Sequence, residues 1–372
     1  MIEWLKRNIQ GDKYIWFIAI ILSVIGLLAV YSATSLLAFQ QKGGNTEFFL
    51  LKHFLLIAFS FIAMWFAHKI DYKYYSKISL IGLYISLPLL FLTYKFGVNI
   101  NEASRWISIP IINMAFQPSD LAKLSLIIYL SSFLAKRQFD LENIKILIVP
   151  FIWIGLICMF IALTNLSTAL ILGATSILLM FISRVKISHL SLLFLFVLLS
   201  GGVALLTGQR GYTAISRVED FINKKNLPYQ LEQAYIAVST GGLFGKGPGN
   251  SNQKNFLPQS SSDFIYAIII EEYGFIVGVL VLVLYLFLLY RGLKIFINSD
   301  RPFGGLLSAG LSFALVIQAI TNMCVVVGLL PVTGVTLPLV SMGGTSQLFT
   351  GITIGIILSI SRDSTDRLYG KA

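Results

Sequence analysis

Asp263 ends the polar stretch Gln259-Ser260-Ser261-Ser262 and opens the apolar run 264–270. A carboxylate so placed can take the proton of an attacking hydroxyl as a general base. It can equally cap a helix, because aspartate is favoured at an N-terminus and Ser262 can share the task. The two roles are compatible, since both want an ionised carboxylate facing polar groups. Glu271 and Glu272 follow further along the same run, roughly 12 Å deeper on one continuous helix. Adjacent carboxylates inside an apolar helix are costly and face a bundle interior. They suit a polar network, a proton or ion path, or an ion pair with a lysine such as Lys123. Asp120 and Lys123 stand three apart and share a helix face. They either neutralise each other or point a cation at an anionic ligand. Arg105-Trp106 offers a guanidinium suited to a diphosphate and an indole suited to a membrane interface.

Two glycine-rich stretches extend this inventory. Gly245-Lys246-Gly247-Pro248-Gly249 is no P-loop, because Lys246 is followed by Gly247 where Ser or Thr is required. Its backbone amides, with Lys246 and Lys254, can still bind an anion, or the loop is merely flexible. The stretch 328–346 carries Pro331, Pro338 and several glycines beside Ser341 and Ser346. Broken helix at membrane depth is tolerated where it lines a cavity, which makes this the strongest pointer to a pocket.

The elements that must position these groups are transmembrane helices. Of 372 residues, 56% are hydrophobic and 12% charged, against about 25% charged in soluble domains. Apolar runs lie near 14–38, 53–67, 77–95, 119–135, 145–163, 166–183, 188–206, 263–290, 304–327 and 343–361. The expected fold is therefore all-α, a polytopic membrane protein of about ten transmembrane helices in a single domain, 1–372. The first run is too long for a signal-peptide core and reads as a retained anchor. The net charge of +11 follows the positive-inside pattern rather than a nucleic-acid surface. With the N-terminus inside, the cytoplasmic segments hold seventeen Lys and Arg and the short outer loops four. Both termini are then cytoplasmic, and the polar chemistry gathers on the outer face. The outer loop 207–262 contains an interfacial helix with Ile215, Val218, Phe221 and Ile222 on one side. A second helix opens at Pro228 and stops at Gly241-Gly242. Cys158 and Cys324 lie in apolar runs, and no metal-ligand cluster is visible.

Several blocks in order carry a resemblance. They are Arg105-Trp106-Ile107, Phe116-Gln117-Pro118-Ser119-Asp120-Leu121-Ala122-Lys123, Tyr229-Gln230 with Gln233, and the stretch 239–247. Phe256-Leu257-Pro258, the stretch 263–267, Glu271-Glu272 and Gly274 follow, then 330–334, 337–341 and Gly343-Gly344-Thr345-Ser346. Together they resemble the SEDS family (shape, elongation, division and sporulation), nearer its FtsW branch than its RodA branch. The resemblance implies a peptidoglycan glycosyltransferase that polymerises lipid II on the outer face of the bacterial cytoplasmic membrane. It implies a class B penicillin-binding protein as partner, among other divisome or elongasome membrane proteins. It assigns the catalytic aspartate to Asp263, and substrate binding to Arg105, Trp106, Gln117, Ser119, Asp120, Lys123, Lys246, Ser341 and Ser346. Glu271 and Glu272 support the site from within the membrane. The departing diphosphate calls for cations from Arg105, Lys123, Arg210, Arg217, Lys246 or a divalent metal, Mg or Mn; no organic cofactor is implied. Departures from the family pattern are Asp120 in place of Glu, Asn165 in place of Asp, Ser261-Ser262 in place of His-Thr, and Met342 in place of Tyr. A lipid II flippase and a scaffold for the transpeptidase are the rival readings. Polar residues concentrated on the outer side favour the enzyme.

Overall fold

The computed structural model describes residues 10–35, 38–39, 45–100, 103–109, 114–207, 211–223 and 228–368. Lys6, Arg7, Lys42 and Lys371, used above for orientation, and Arg210 lie outside the described residues. All ten apolar runs are helical: α1 (Lys13–Ala33), α2 (Thr46–Lys69), α3 (Tyr75–Phe96), α4 (Pro118–Lys136), α5 (Ile144–Ala162), α6 (Leu166–Ile182), α7 (Ile187–Thr207), α10 (Ile265–Ile297), α11 (Pro302–Val326) and α12 (Thr345–Leu368). Seven of the described helical stretches are long and apolar enough to cross a membrane. The two helices expected in the long loop are α8 (Gly211–Asn223) and α9 (Tyr229–Gly241). α9 buries Leu231, Ala234 and Ala237 against α10.

The bundle is held by close helix contacts of the kind lipid-embedded helices use, where packing replaces the hydrophobic effect. Gly351 and Gly355 let α12 lie against α2. A Cβ on Gly351 would meet the Ser60 carbonyl oxygen at 2.2 Å, and one on Gly355 the Met64 carbonyl oxygen at 2.3 Å. Ser60 Oγ donates to the Gln347 carbonyl at 2.7 Å across the same seam.

Two features depart from the expected all-α bundle. Arg105 and Trp106 lie not in a loop but on the middle strand of a small antiparallel sheet. Its strands are β1 (Val98–Ile100), β2 (Ala103–Ile109) and β3 (Met114–Phe116), with Ile107 opposite Phe116. α10 is also not one helix. Gly274 has φ 84 and ψ 171, and the chain folds back there. Tyr266 OH donates to the Gly278 carbonyl at 3.0 Å, whereas twelve residues of straight helix span about 18 Å. The short arm 265–273 therefore runs antiparallel to the long arm 275–297, which at about 34 Å is long enough to cross a bilayer alone.

The glycine-rich loop after α9 is pinned into this turn. Lys246 N and Gly247 N donate to the Glu271 and Glu272 carbonyls, both at 2.9 Å, and Phe275 N donates to the Gly242 carbonyl at 2.9 Å. A Cβ on Gly274 would sit 2.2 Å from the Leu243 carbonyl oxygen. Gly274→Val should destabilise the fold by more than about 3 kcal/mol, combining a positive φ with a backbone collision. Loss of the monodisperse peak in detergent size-exclusion chromatography is the expected result.

Candidate functional site

The fold-back reverses the depth order read from a continuous helix. Glu271 and Glu272 sit beside the Gly274 turn, and Asp263 lies at the far end of the short arm, deeper in the bundle. Ser341 Oγ donates to the neighbouring Ser262 carbonyl at 2.6 Å. Tyr285, eleven residues down the long arm, bonds through its hydroxyl to the Pro338 carbonyl, on the same loop as Ser341. Asp263 is also not the helix cap. Phe264 occupies that position, and no side chain caps the helix start.

The loop 331–344 supplies the opposite wall. It has no helix or strand, so its carbonyls need partners from elsewhere. Arg217 Nη1 donates to Val332 O at 3.3 Å, Arg105 Nη1 to Gly334 O at 3.0 Å, and Gln318 Nε2 to Thr336 O at 2.9 Å. Asn322 Nδ2 donates to Val335 O and to the carbonyl of Asp263 itself, both at 2.7 Å. Ser341 Oγ accepts from Leu337 N at 2.8 Å. A broken segment at membrane depth is thus tied, carbonyl by carbonyl, to side chains of β2, α8 and α11, and its own Ser341 hydroxyl reaches the carbonyl of Ser262.

These ties bring three charges together. A Cβ on Gly334 would lie 3.1 Å from Arg105 Nη1 and 3.4 Å from Asp263 Oδ2. The Asp263 carboxylate thus faces the charges of Arg105 and Arg217, which favour its ionised form. Arg105 and Arg217 also line a cavity of about 330 Å³ between α6, α7, α8 and α11. Its walls are apolar at Leu166, Leu170, Ile171, Ala204 and Ile317, with Thr333 and Asn165 among its polar groups. Asn165 keeps a local role as well, accepting from Thr168 N at 3.3 Å to cap α6. The site can therefore present a carboxylate to a hydroxyl, and two guanidinium groups to an anion attached to an apolar chain.

The other residues singled out from the sequence divide between two neighbourhoods. Trp106 lies near the Gly343-Gly344 turn, 3.8 Å from where a Gly344 Cβ would be. Gln117 N donates to Thr345 Oγ1 at 3.2 Å, and Gln117 Nε2 to Ser119 Oγ at 2.8 Å. These groups join the sheet to the start of α12, beside the loop. Asp120 and Lys123 neutralise each other at 2.8 Å and, with Ser346, line a separate small cavity between α4, α6, α11 and α12. Lys123 is therefore not the partner of Glu271. That partner is Lys246, at 2.5 Å. Glu271 further accepts from Ser251 Oγ, from Asn252 N at 3.1 Å and from Gln253 N at 3.2 Å. Glu272 accepts from Ser32 Oγ and from Ser251 N at 3.2 Å. The glutamate pair, the expected intramembrane support, is the anchor of the glycine-rich loop. Lys246, expected at the substrate, is engaged in that anchor, and Ser341 in holding its own loop.

Sequence reasoning passed over Asn322 and Gln318. Both lie in an apolar run, and their amides four residues apart on α11 were the available signal.

Comparison with known proteins gives consistent relatives. The family model for the FtsW/RodA/SpoVE cell cycle proteins matches residues 12–366. A probable peptidoglycan glycosyltransferase FtsW of Geobacter sp. (strain M18) is 33% identical, the match covering 95% of this chain and 98% of that one. Stage V sporulation protein E of Bacillus subtilis (strain 168) is 34% identical over 96% of this chain and 99% of its own. A solved chain from work on coordination of polymerization and crosslinking by a peptidoglycan synthase complex superposes with a TM-score of 0.76. It is 23% identical and covers 95% of this chain and 98% of that one.

Proposed function

The chain belongs to the FtsW/RodA/SpoVE family, and from that membership we propose that it is a peptidoglycan glycosyltransferase polymerising lipid II into glycan strands. The observation that carries the reading is the Asp263 carboxylate held at Gly334 beside Arg105, with Arg217 near, next to an apolar-walled cavity.

In the proposed reaction the 4-hydroxyl of the acceptor sugar attacks the anomeric carbon of the lipid-linked donor. Asp263 takes the hydroxyl proton as the new C–O bond forms. The bond from the anomeric carbon to the polyprenyl diphosphate breaks, and the diphosphate leaves with the electron pair. Arg105 and Arg217 meet its growing charge. The apolar walls suit the polyprenyl chain. The positive-inside pattern supports an outward-facing site at the cytoplasmic membrane. The solved relative's origin in a synthase complex supports a class B penicillin-binding protein as partner, and the FtsW names among the relatives support a role in septal synthesis.

Among the described residues no three His, Cys, Asp or Glu side chains converge. Asp263 shares its surroundings with two guanidinium groups, which is a poor setting for a protein-held cation. The described residues around Asp263 therefore do not fit a protein-held Mg or Mn ion, and the two guanidinium groups supply the cations the diphosphate calls for. The test is purified protein, alone and with its cognate transpeptidase, incubated with lipid II and Mg or Mn. Glycan strands are expected; lipid II moved across a bilayer without polymer would overturn the reading.

The carboxyl environment sets a pH dependence. Activity should fall as pH drops and the base is protonated. The Arg105 cation beside Asp263 favours the ionised carboxylate, so Arg105→Ala should move the acid limb of the kcat profile to higher pH, and Arg105→Lys should move it less.

A further inference from the structure

We propose that Asn322 and Gln318 are positioning residues that set where the Asp263 carboxylate stands against the loop 331–344. The inference rests on Asp263 being the base. Asn322 is 1% exposed, and both of its amide hydrogens are spent on carbonyls, Asp263 O and Val335 O, each at 2.7 Å. Two carbonyl oxygens can be satisfied only by the NH₂ end of an amide, so the orientation of this side chain is chemically determined. Its own Oδ1 is buried with no hydrogen-bond partner among the described residues. A buried amide that leaves its acceptor unmade in order to bridge two segments is costly. Here the bridge joins the residue bearing the base to the loop bearing the Arg105 contact.

Gln318, one helical turn away, repeats the device. Its Nε2 donates to Thr336 O at 2.9 Å, one residue beyond the Asn322 contact. Its Oε1 faces Lys123 Nζ at 3.5 Å, and Lys123 is paired with Asp120 at 2.8 Å. Buried Asp120 holds the half-buried Lys123, Lys123 meets the Gln318 amide, and the amide holds Thr336. Through this chain the pair acts on the loop without touching the cavity that Arg105 and Arg217 line. Successive carbonyls at 335 and 336 are gripped from one face of α11, which leaves the intervening backbone little freedom to slide past Asp263.

Displacement of a reacting group by about 1 Å can cost on the order of 100-fold in rate. Asn322→Asp replaces the donor with an acceptor facing two carbonyls. Gln318→Glu removes the donor to Thr336 and sets a carboxylate toward Lys123, so it breaks the loop contact while keeping the side chain held on the lysine side. Polymerisation of lipid II by the purified full-length chain should show kcat reduced tenfold or more in both variants, with KM for lipid II changed by less than about twofold. Gln318→Glu is close in shape and at a half-buried position, so it tests the same link should Asn322→Asp fail to fold. Wild-type kcat in the folded variants, or a raised KM with kcat intact, overturns the inference. Asp263→Asn is run beside them. Wild-type polymerisation by that variant overturns the base reading, whereas its inactivity beside fully active amide variants overturns only this inference.

Discussion

Asp263→Asn should abolish glycan polymerisation while leaving the protein folded and at least as stable. The amide keeps the size of the carboxyl but cannot accept the acceptor sugar's proton. General bases contribute about 10²- to 10⁴-fold, and the rate loss should fall in or beyond that range. The stability side follows from the backbone. The residue is held through its carbonyl, which accepts from Asn322 Nδ2 at 2.7 Å, and asparagine keeps that carbonyl. Thermal denaturation in detergent at pH 7 should give Asp263→Asn a midpoint no lower than wild type. A large drop in the midpoint would mean that the carboxylate is structural, and the rate loss would then say nothing about catalysis.

Glu271→Ala should act in the opposite sense, unseating the glycine-rich loop and lowering stability by about 3 kcal/mol. The carboxylate is 0% exposed and is the common acceptor for Lys246 Nζ, Ser251 Oγ, Asn252 N and Gln253 N. Lys246 keeps 26% of its side-chain surface and can turn to water, so its charge adds little to the loss. Buried Ser251 has no such exit, whereas exposed Asn252 and half-buried Gln253 can recover part of their loss from water. An unmade hydrogen bond at a buried group costs about 1–3 kcal/mol, and the partial recovery of one or two of them by water brings the sum to the stated figure. Glu271→Gln should cost less, because its Oε1 keeps one acceptor. The readouts are the denaturation midpoint and protease sensitivity of the loop 242–257. Because Glu271 anchors a loop rather than the Arg105–Asp263 neighbourhood, folded Glu271→Gln should retain its response to pH. An unchanged midpoint in Glu271→Ala would overturn the anchor assignment.

The membrane helices were legible in the sequence because their determinants are local. A backbone in lipid must satisfy its own hydrogen bonds within the segment, so each apolar run of sufficient length becomes a helix wherever it sits in the chain. The helices α8 and α9 are local in the same sense, readable from side chains a few residues apart. Asp263 was legible from its position between polar and apolar stretches, and the motif resemblance converged on it. The role of Asp120 and Lys123 as a pair was legible from their spacing on one helix face. What only the tertiary structure decided are the long-range partners. The reversal at Gly274 inverts the depths of Asp263 and the glutamates, because one residue at positive φ redirects everything after it while the hydropathy pattern runs on unbroken. Lys246 rather than Lys123 meets Glu271 because the glycine-rich loop is drawn into that turn by backbone hydrogen bonds, which leave no mark on side-chain periodicity. Arg217 and Asn322 reach the site from α8 and α11 through carbonyls of a broken loop. A carbonyl is present at every residue, so the choice of which one a distant side chain will grip is made by packing alone.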